Sequence, residues 1–498
     1  MSLRVDNKLT PQKLVPVIER MFELSAAKIL AIEKTWKPSA GTPVFTVKGR
    51  YTSRGWTEWT QGFQFGSAIL QFDATGDERF LEIGRRKTIE LMAGHVSHVG
   101  VHDHGFNNIS TYGSLLRLMH EGRIEWNDRE KDFYELALKV SGAVQAARWT
   151  RINYFDEGYI YSFNGPHSLF IDTMRTLRVL GVAHLLGHVL MGEHDEPISL
   201  LRRLIQHAMI TRNFSIFGGQ GRDEYDLKGR VAHESIFNLN DGTYRCPNTQ
   251  QGYSPFSTWT RGLAWAILGY AEELEFLHSI GDREVDIVFY FQKRRPQGAE
   301  LEELLERFHK SSPVHPGASH RESFLNAALA TADFFLANSC TDGVPMWDTG
   351  APNLHRLPAN YLDKPGNPYN QYEPVDSSAA AIAAQGLIRL GNYLTATGDL
   401  IDFMGVKRTG AHYRQAGLTI ARALLAEPYL STNAKHQGLL LHSVYHRPKG
   451  WDYIAPGQKV PNGESSMWGD YHLRELALLI LREAKGLPYL TFFGCVPK

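Results

Sequence analysis

The sequence predicts an all-α protein in which helices pack on helices in repeated hairpins. Three observations lead there. Apolar residues recur at three- and four-residue steps along several segments. Strand-like alternation is scarce, and no βαβ unit opens on a Gly-rich phosphate loop. The same kind of turn closes three helical segments, at Thr75-Gly76-Asp77, Ile280-Gly281-Asp282 and Thr397-Gly398-Asp399. There Gly suits the left-handed conformation that ends a helix, and Asp can cap the next helix.

Taken in order, Phe170, Met174, Leu177, Gly181 and Leu185 mark one buried helical face, and Leu263, Ile267, Tyr270, Leu274 and Leu277 mark another. Arg283 to Glu322 breaks the pattern with a charged stretch, the basic run Lys293-Arg294-Arg295-Pro296, and a His/Pro/Gly segment from Ser311 to His320. It reads as an insertion at 283–322 in a single domain spanning 1–498. The basic run is either solvated surface or a contact for an anionic substrate. Asp376-Ser377-Ser378 opens a helix with a good N-cap residue, and the small residues Ala379 to Ala384 let neighbouring helices approach closely. The loops Arg54 to Phe65, His98 to Tyr112, Gln250 to Arg261, Asp342 to Pro352 and Pro461 to Tyr471 are rich in aromatic and polar residues. They are expected to line one end of a helical toroid.

The composition excludes several function classes. The 498 residues carry 53 Lys and Arg against 53 Asp and Glu, a formal net charge of zero, so no electrostatic footprint favours nucleic acid or anionic lipid. No apolar run approaches the ~20 residues of a membrane span. Met1 to Lys8 lacks a basic region leading into an apolar stretch, which points to a cytoplasmic protein, or a periplasmic one had a leader been removed. Cys246, Cys340 and Cys495 are too widely spaced for a disulfide framework or a metal knuckle.

Two acids stand apart from ordinary surface carboxylates. Asp103 lies in His102-Asp103-His104-Gly105-Phe106-Asn107, and Asp172 lies inside the apolar run Leu169-Phe170-Ile171-Asp172-Thr173-Met174 at a helix start. Asp172 is either a helix-capping acid or a proton-transfer group; the helix N-terminus lowers its pKa while burial and a second acid raise it. His95, His98, His102 and His104 are dense, yet without Cys or a His-Glu-x-x-His helix they suit hydrogen bonding better than metal. Gln251 to Trp265 concentrates aromatic platforms, an amide and a guanidinium. Flat rings suit the C–H face of a sugar, and Arg261 suits a carboxylate; core aromatics with a structural ion pair are the plainer alternative.

Seven ordered blocks then carry a resemblance across roughly residues 55 to 480. They are Trp59-Thr60-Gln61-Gly62-Phe63, His102-Asp103-His104-Gly105-Phe106, Ile171-Asp172-Thr173-Met174, Gln251-Gly252-Tyr253-Ser254 with Trp259-Thr260-Arg261-Gly262 and Trp265, Asp342 to Asp348, Asp376 to Ala380, and Met467-Trp468-Gly469-Asp470-Tyr471. Together the chain resembles the unsaturated glucuronyl hydrolases of glycoside hydrolase family 88. The resemblance implies an (α/α)6 barrel, a six-hairpin toroid with its site at the wide mouth. It implies hydration of a 4,5-unsaturated uronic acid on lyase-generated oligosaccharides, with a proton to C4 and water to C5. Asp172 resembles the family's general acid/base and Asp103 its second acid, expected to keep Asp172 protonated by like-charge proximity. His233 and Gln251 match the positions that hold water and ring substituents. Trp59, Trp259 and Trp265 match stacking walls, His102 a neighbour of the ring hydroxyls, and Arg261 a contact for anionic substrate or an orienting group for Asp172. No metal or organic cofactor is implied. Gln64-Phe65, Pro255-Phe256, Phe163 and the 283–322 insertion depart from the family pattern. A helical-barrel lyase or epimerase, or a carbohydrate-binding relative without catalysis, is the alternative reading.

Overall fold

The computed structural model describes residues 3–55, 58–153, 157–291, 296–311, 315–398, 401–403 and 406–496. Its helices are, in chain order, α1 (Pro11–Thr35), α2 (Gln61–Thr75), α3 (Glu78–Leu91), α4 (Ala93–Val96), α5 (His104–Asn108), α6 (Ser114–His120), α7 (Asp128–Ala147), α8 (Thr173–Thr176) and α9 (Arg178–Leu185). There follow α10 (Leu200–Phe214), α11 (Thr260–Ile280), α12 (Asp282–Tyr290), α13 (Gly298–Ser311), α14 (Pro316–Ala337), α15 (Ser377–Thr397), α16 (Gly410–Leu424) and α17 (Met467–Ala484).

Six of these units form a closed inner ring. α2 touches the α5–α6 unit, which touches α8–α9, then α11, α15 and α17, and α17 returns to α2. α1, α3, α7, α10, α14 and α16 pack outside them. The expected (α/α)6 barrel is the observed architecture.

Local chemistry accounts for the ring. α15 begins where the Asp376 carboxylate accepts from the backbone N–H of Ser378 at 3.0 Å, the expected cap. Small residues then bring α15 against α11: a Cβ on Gly386 would stand 2.8 Å from the Leu268 Cα. The turn glycines Gly76 and Gly398 adopt the left-handed conformation, with φ of 72° and 69°. Asp77 caps α3 through the Arg79 N–H at 3.1 Å, whereas Asp399 lies outside the described residues. Gly281 differs: its φ of 80° comes with a ψ of 156°. Asp282 after it is an ion-pair partner of Arg321 at 3.0 Å rather than a cap.

Another expectation needs correction. The face from Phe170 to Leu185 is not one helix, because Phe170 ends a strand, Ser168–Phe170, that pairs antiparallel with Glu234–Phe237. That ladder claims the backbone of Phe170, and the chain then turns at Asp172 into α8 and α9. The 283–322 segment is mostly helical. α12 packs on α14, and α13 rests on α12 through Ile287, Leu301 and Leu305. Lys293 to Arg295 lie outside the described residues.

Ion pairs cross the barrel interior at 2.6 Å between Arg175 and Glu272, 2.7 Å between Arg175 and Glu475, and 2.8 Å between Arg389 and Glu275. They tie α8, α11, α15 and α17 together. The ends of the chain meet: α1 packs on α17, where Arg474 donates to Ser25 Oγ at 2.8 Å. Among the described residues no helix is long and apolar enough to cross a membrane.

Candidate active site

The loops at one mouth of the ring enclose a cleft of about 770 Å³, its solvent-open mouth included. Asp103, immediately before α5, and Asp172, immediately before α8, both line it. Their approach depends on Gly105: a Cβ there would lie 2.1 Å from the Thr176 carbonyl oxygen, so α5 and α8 could not come together with any larger residue.

Asp172 occupies the N-cap position of α8, yet its carboxylate caps nothing. It pairs instead with His102, Oδ1 to Nε2, at 3.0 Å, and the same Nε2 lies 3.9 Å from Asp103 Oδ1. The capping alternative is thereby set aside. Burial raises the Asp172 carboxyl, but the His102 hydrogen bond and charge, with smaller electrostatic contributions from the His233 ring and Arg261, more than offset it, holding it below the usual carboxylate range. For Asp103 burial wins, helped by the Asp172 charge and opposed by His102 and Arg148, and its carboxyl is raised. Burial lowers His102, but Asp103 and Asp172 outweigh it and raise the imidazole. The expected polarity of the acid pair is therefore reversed at rest. Asp103 is the acid pushed toward its neutral form, and Asp172 is the carboxylate of an ion pair, because His102 sits against Asp172 and not midway. A charged His102 leaves its buried Nδ1–H without a protein partner.

Two other histidines of the cluster, His95 and His104, are structural. His95 bonds Gln61 Oε1 at 2.8 Å, and His104 bonds Ser141 Oγ at 2.9 Å and the His98 carbonyl at 3.0 Å. Burial holds them neutral, down to about 4 and about 3. His233 is different in kind. Its Nδ1 accepts the Gln250 N–H at 2.9 Å, which places the ring proton on Nε2, and that buried Nε2–H has no protein partner. Burial pushes the ring down to about 4, so it is a neutral donor. Behind it, the Glu234 carboxylate accepts from Asn164 at 2.7 Å, Asn248 at 2.6 Å and Gln250 at 3.1 Å, tying the 164 loop to the 248–250 segment.

Trp59 stands half-buried on the cleft wall, stacked on Trp468 with ring centroids 5.1 Å apart. Trp259 and Trp265 line the cleft from positions almost wholly buried, 3% and 1% exposed, so they form its floor more than a stacking wall. Arg261 does not reach outward. Its guanidinium lies between Trp259 and Trp468, 4.5 and 4.7 Å from their rings. It donates to the carbonyls of Val444 and Tyr445 and to Gln251 Oε1, the last at 2.8 Å. That leaves the Gln251 amide nitrogen as the end available to a ligand. Arg261 is thus a tie between two loops, and it reaches Asp172 through its charge.

The loop 445–451 was not foreseen. Tyr445, His446, Lys449 and Trp451 line the cleft, and the Asp452 carboxylate holds their backbone, accepting from the His446 N–H at 3.0 Å. Its sequence lacks a hydrophobic period, and what docks it is Arg261, far away in the chain. Of the departures from the family pattern only Phe163 lines the cleft, facing His102 at 6.2 Å. Phe65 is core, and Phe256 stacks on Tyr225 at 4.5 Å away from the mouth. The Asp342 to Pro352 loop stays behind the site, where Asp348 accepts the Tyr253 N–H at 2.8 Å.

No family model matches the chain. Among curated proteins, an unsaturated glucuronyl hydrolase of Bacillus sp. strain GL1 is 24% identical over 448 residues, 88% of this chain and 90% of that protein. An unsaturated chondroitin disaccharide hydrolase of Streptococcus agalactiae is 21% identical over 86% of this chain and 82% of its own length. Among solved structures, an unsaturated glucuronyl hydrolase specific for heparin superposes with a TM-score of 0.65 at 18% identity, covering 96% of this chain and all of that one. The Bacillus sp. GL1 enzyme's structure superposes with a TM-score of 0.63 at 21% identity, covering 95% and 97%. Along nearly the whole chain the protein is thus similar in sequence to unsaturated glucuronyl hydrolases, and it shares the barrel fold of those whose structures are solved.

Proposed function

We propose that the protein removes a 4,5-unsaturated uronic acid from the non-reducing end of lyase-generated oligosaccharides by hydrating its vinyl ether. The observation that carries the reading is the buried His102–Asp172 pair, 3.0 Å apart beside Asp103 at the end of an aromatic cleft. Such a pair stores one exchangeable proton away from bulk water. Lys449 on the cleft wall, with the positive charge of the buried Arg261 behind it, suits a substrate that carries a carboxylate.

In this reading the arriving uronate raises the proton affinity of Asp172, and the His102 proton passes along the hydrogen bond to its carboxyl. Asp172 then delivers that proton to C4, and the electrons of the C4–C5 double bond form the new C–H bond. Positive charge spreads over C5 and the ring oxygen. Water held by the His233 Nε2–H and the Gln251 amide adds at C5, and the Asp172 carboxylate takes the proton that this water loses. The C5 hemiketal opens to a ketone, leaving a hemiacetal at C1 that expels the aglycone alcohol. Protonation and water attack fall on adjacent carbons, so one carboxyl serves both, and the spacing rule for retaining and inverting carboxylate pairs does not apply.

The test is the ultraviolet absorbance of the conjugated double bond in unsaturated disaccharides from hyaluronan, chondroitin, heparin and gellan. With the native protein the absorbance falls. With Asp172→Asn, nearly isosteric but unable to carry the proton, the rate drops about 10²–10⁴-fold with unchanged circular dichroism. A folded Asp172→Asn protein that keeps its rate refutes the assignment.

A further inference from the structure

A second cluster of chemistry-bearing side chains lies in the 283–322 segment and shares no residue with the cleft. Asp286 of α12, His309 near the end of α13 and His315 at the N-cap of α14 converge there. His309 Nε2 is 3.0 Å from Asp286 Oδ2. The two imidazole rings meet edge-on with centroids 4.5 Å apart. One ligand atom from each of the three residues lies within 4.8 Å of the others.

A simple His–Asp hydrogen bond accounts for only part of this. The Gly317 N–H donates to Asp286 Oδ1 at 2.8 Å, which fixes the plane of a carboxylate only 2% exposed and leaves Oδ2 to the imidazoles. Metal-binding carboxylates are oriented by such a backbone donor. His315 Nδ1 is buried with no hydrogen-bond partner, an unexplained cost for a lone structural ring. Asp286, His309 and His315 border one open hollow, which gives an ion a route to them; its acids Asp282, Glu302 and Glu306 are each paired with a cation, so the three ligand atoms are what would hold an ion there.

We propose that Asp286, His309 and His315 bind a zinc ion, with water in the fourth position, as a clip joining α12, α13 and the start of α14. Two imidazoles and a carboxylate are a donor set that zinc accepts, at about 2.0–2.2 Å from each ligand atom. A tetrahedron of that size spaces its ligand atoms about 3.4 Å apart. The 3.0 Å His309–Asp286 distance opens slightly through rotation of a His309 side chain that is 38% exposed, and separations that are all within 4.8 Å need only small side-chain shifts to close. The clip has a structural purpose. α13 otherwise rests on a small cluster of Ile287, Leu301 and Leu305, on Phe308 packed against Tyr290 and Phe291, and on a solvent-exposed Arg283–Glu302 pair, and exposed pairs contribute little.

The experiment uses the full-length protein stripped with a chelator and titrated with zinc chloride, read by calorimetry and by metal analysis after desalting. One zinc per chain is expected, with amide exchange in 298–311 slowed on loading. His309→Gln/His315→Gln weakens binding at least 100-fold and removes that protection, while hydration at the cleft is unchanged. Where the double variant does not fold, His315→Gln alone serves, and cobalt in place of zinc reports tetrahedral ligation by its visible absorption. Folded native protein that retains no stoichiometric zinc overturns the proposal. So does binding of equal strength in the folded variants.

Discussion

At the scale of single residues, the position of one imidazole decides which acid is charged. Asp103 and Asp172 are buried alike, 8% exposed each, yet their carboxyls shift in opposite directions because His102 hydrogen-bonds only Asp172. His102→Gln removes both the donor and the positive charge, the largest opposition to burial, so the Asp172 pKa rises. The stored proton then has only that carboxyl to occupy. Wild type keeps the proton until His102, raised above its ordinary value, lets it go; the variant loses it at lower pH. The alkaline limb of the kcat profile is therefore expected to move to lower pH, with the maximum down about 10²-fold or more. A limb that stays in place contradicts the shared-proton reading. Asp172 was legible as a candidate because it interrupts an apolar run, with a helix cap as the plainer reading, and Asp103 because it sits in a polar loop beside a glycine and an aromatic; the resemblance to a family set both apart from structural acids. Their ionisation was not legible, since it depends on which oxygen His102 touches.

At the scale of elements, the two acids meet because α5 and α8 cross at Gly105 and the Thr176 carbonyl. Gly105→Ala removes no polar group of the site but pushes these helices apart. Overpacking of this kind costs about 1–3 kcal/mol, read as a lower Tm, and the displaced acids lower kcat more than they raise KM. An unchanged kcat in a destabilised protein would show that the crossing serves stability alone. Capped helices such as α15 were readable, since Asp376 and the alanines after it act locally. The loop 445–451 was not, because backbone carbonyls on Val444 and Tyr445 dock it, accepting from a distant arginine. A side-chain pattern carries no trace of that. The helix expected from Phe170 onward was broken for a related reason: a strand from a remote segment competes for its first residue.

For the molecule as a whole, buried neutral histidines set the acid limit of stability. Burial pushes His95 and His442 down to about 4, and His104, His207, His446 and His472 down to about 3. In the unfolded chain each returns to about 6.5. Between these values the unfolded state binds protons that the folded state refuses, so stability is full above about pH 6.5 and is lost as pH falls toward the folded pKa values. Tm is expected to fall from pH 6.5 downward, before ordinary carboxylates titrate near 4. A Tm that is level from pH 7 to 5 would contradict it. Packed helical hairpins were foreseeable from periodicity and recurring turns, and their closure into a six-hairpin ring from the resemblance to a family. The ion pairs inside it were not, because Arg175, Glu272, Arg389 and Glu475 look in sequence like surface charges.

The ring closes by joining the two ends of the chain, with α17 seated between α1, α2 and α15 and Trp468 stacked on Trp59. Synthesis runs from the amino terminus at about 5–20 residues per second, so Asp103, Asp172 and His233 are all made well before the helix that completes the wall around them. A nascent chain stalled before Met467 carries every group that the proposed chemistry needs and lacks an enclosure to work in. It is expected to be inactive, and activity arrives with the last helix, which makes ring closure the step that turns a finished set of side chains into an enzyme.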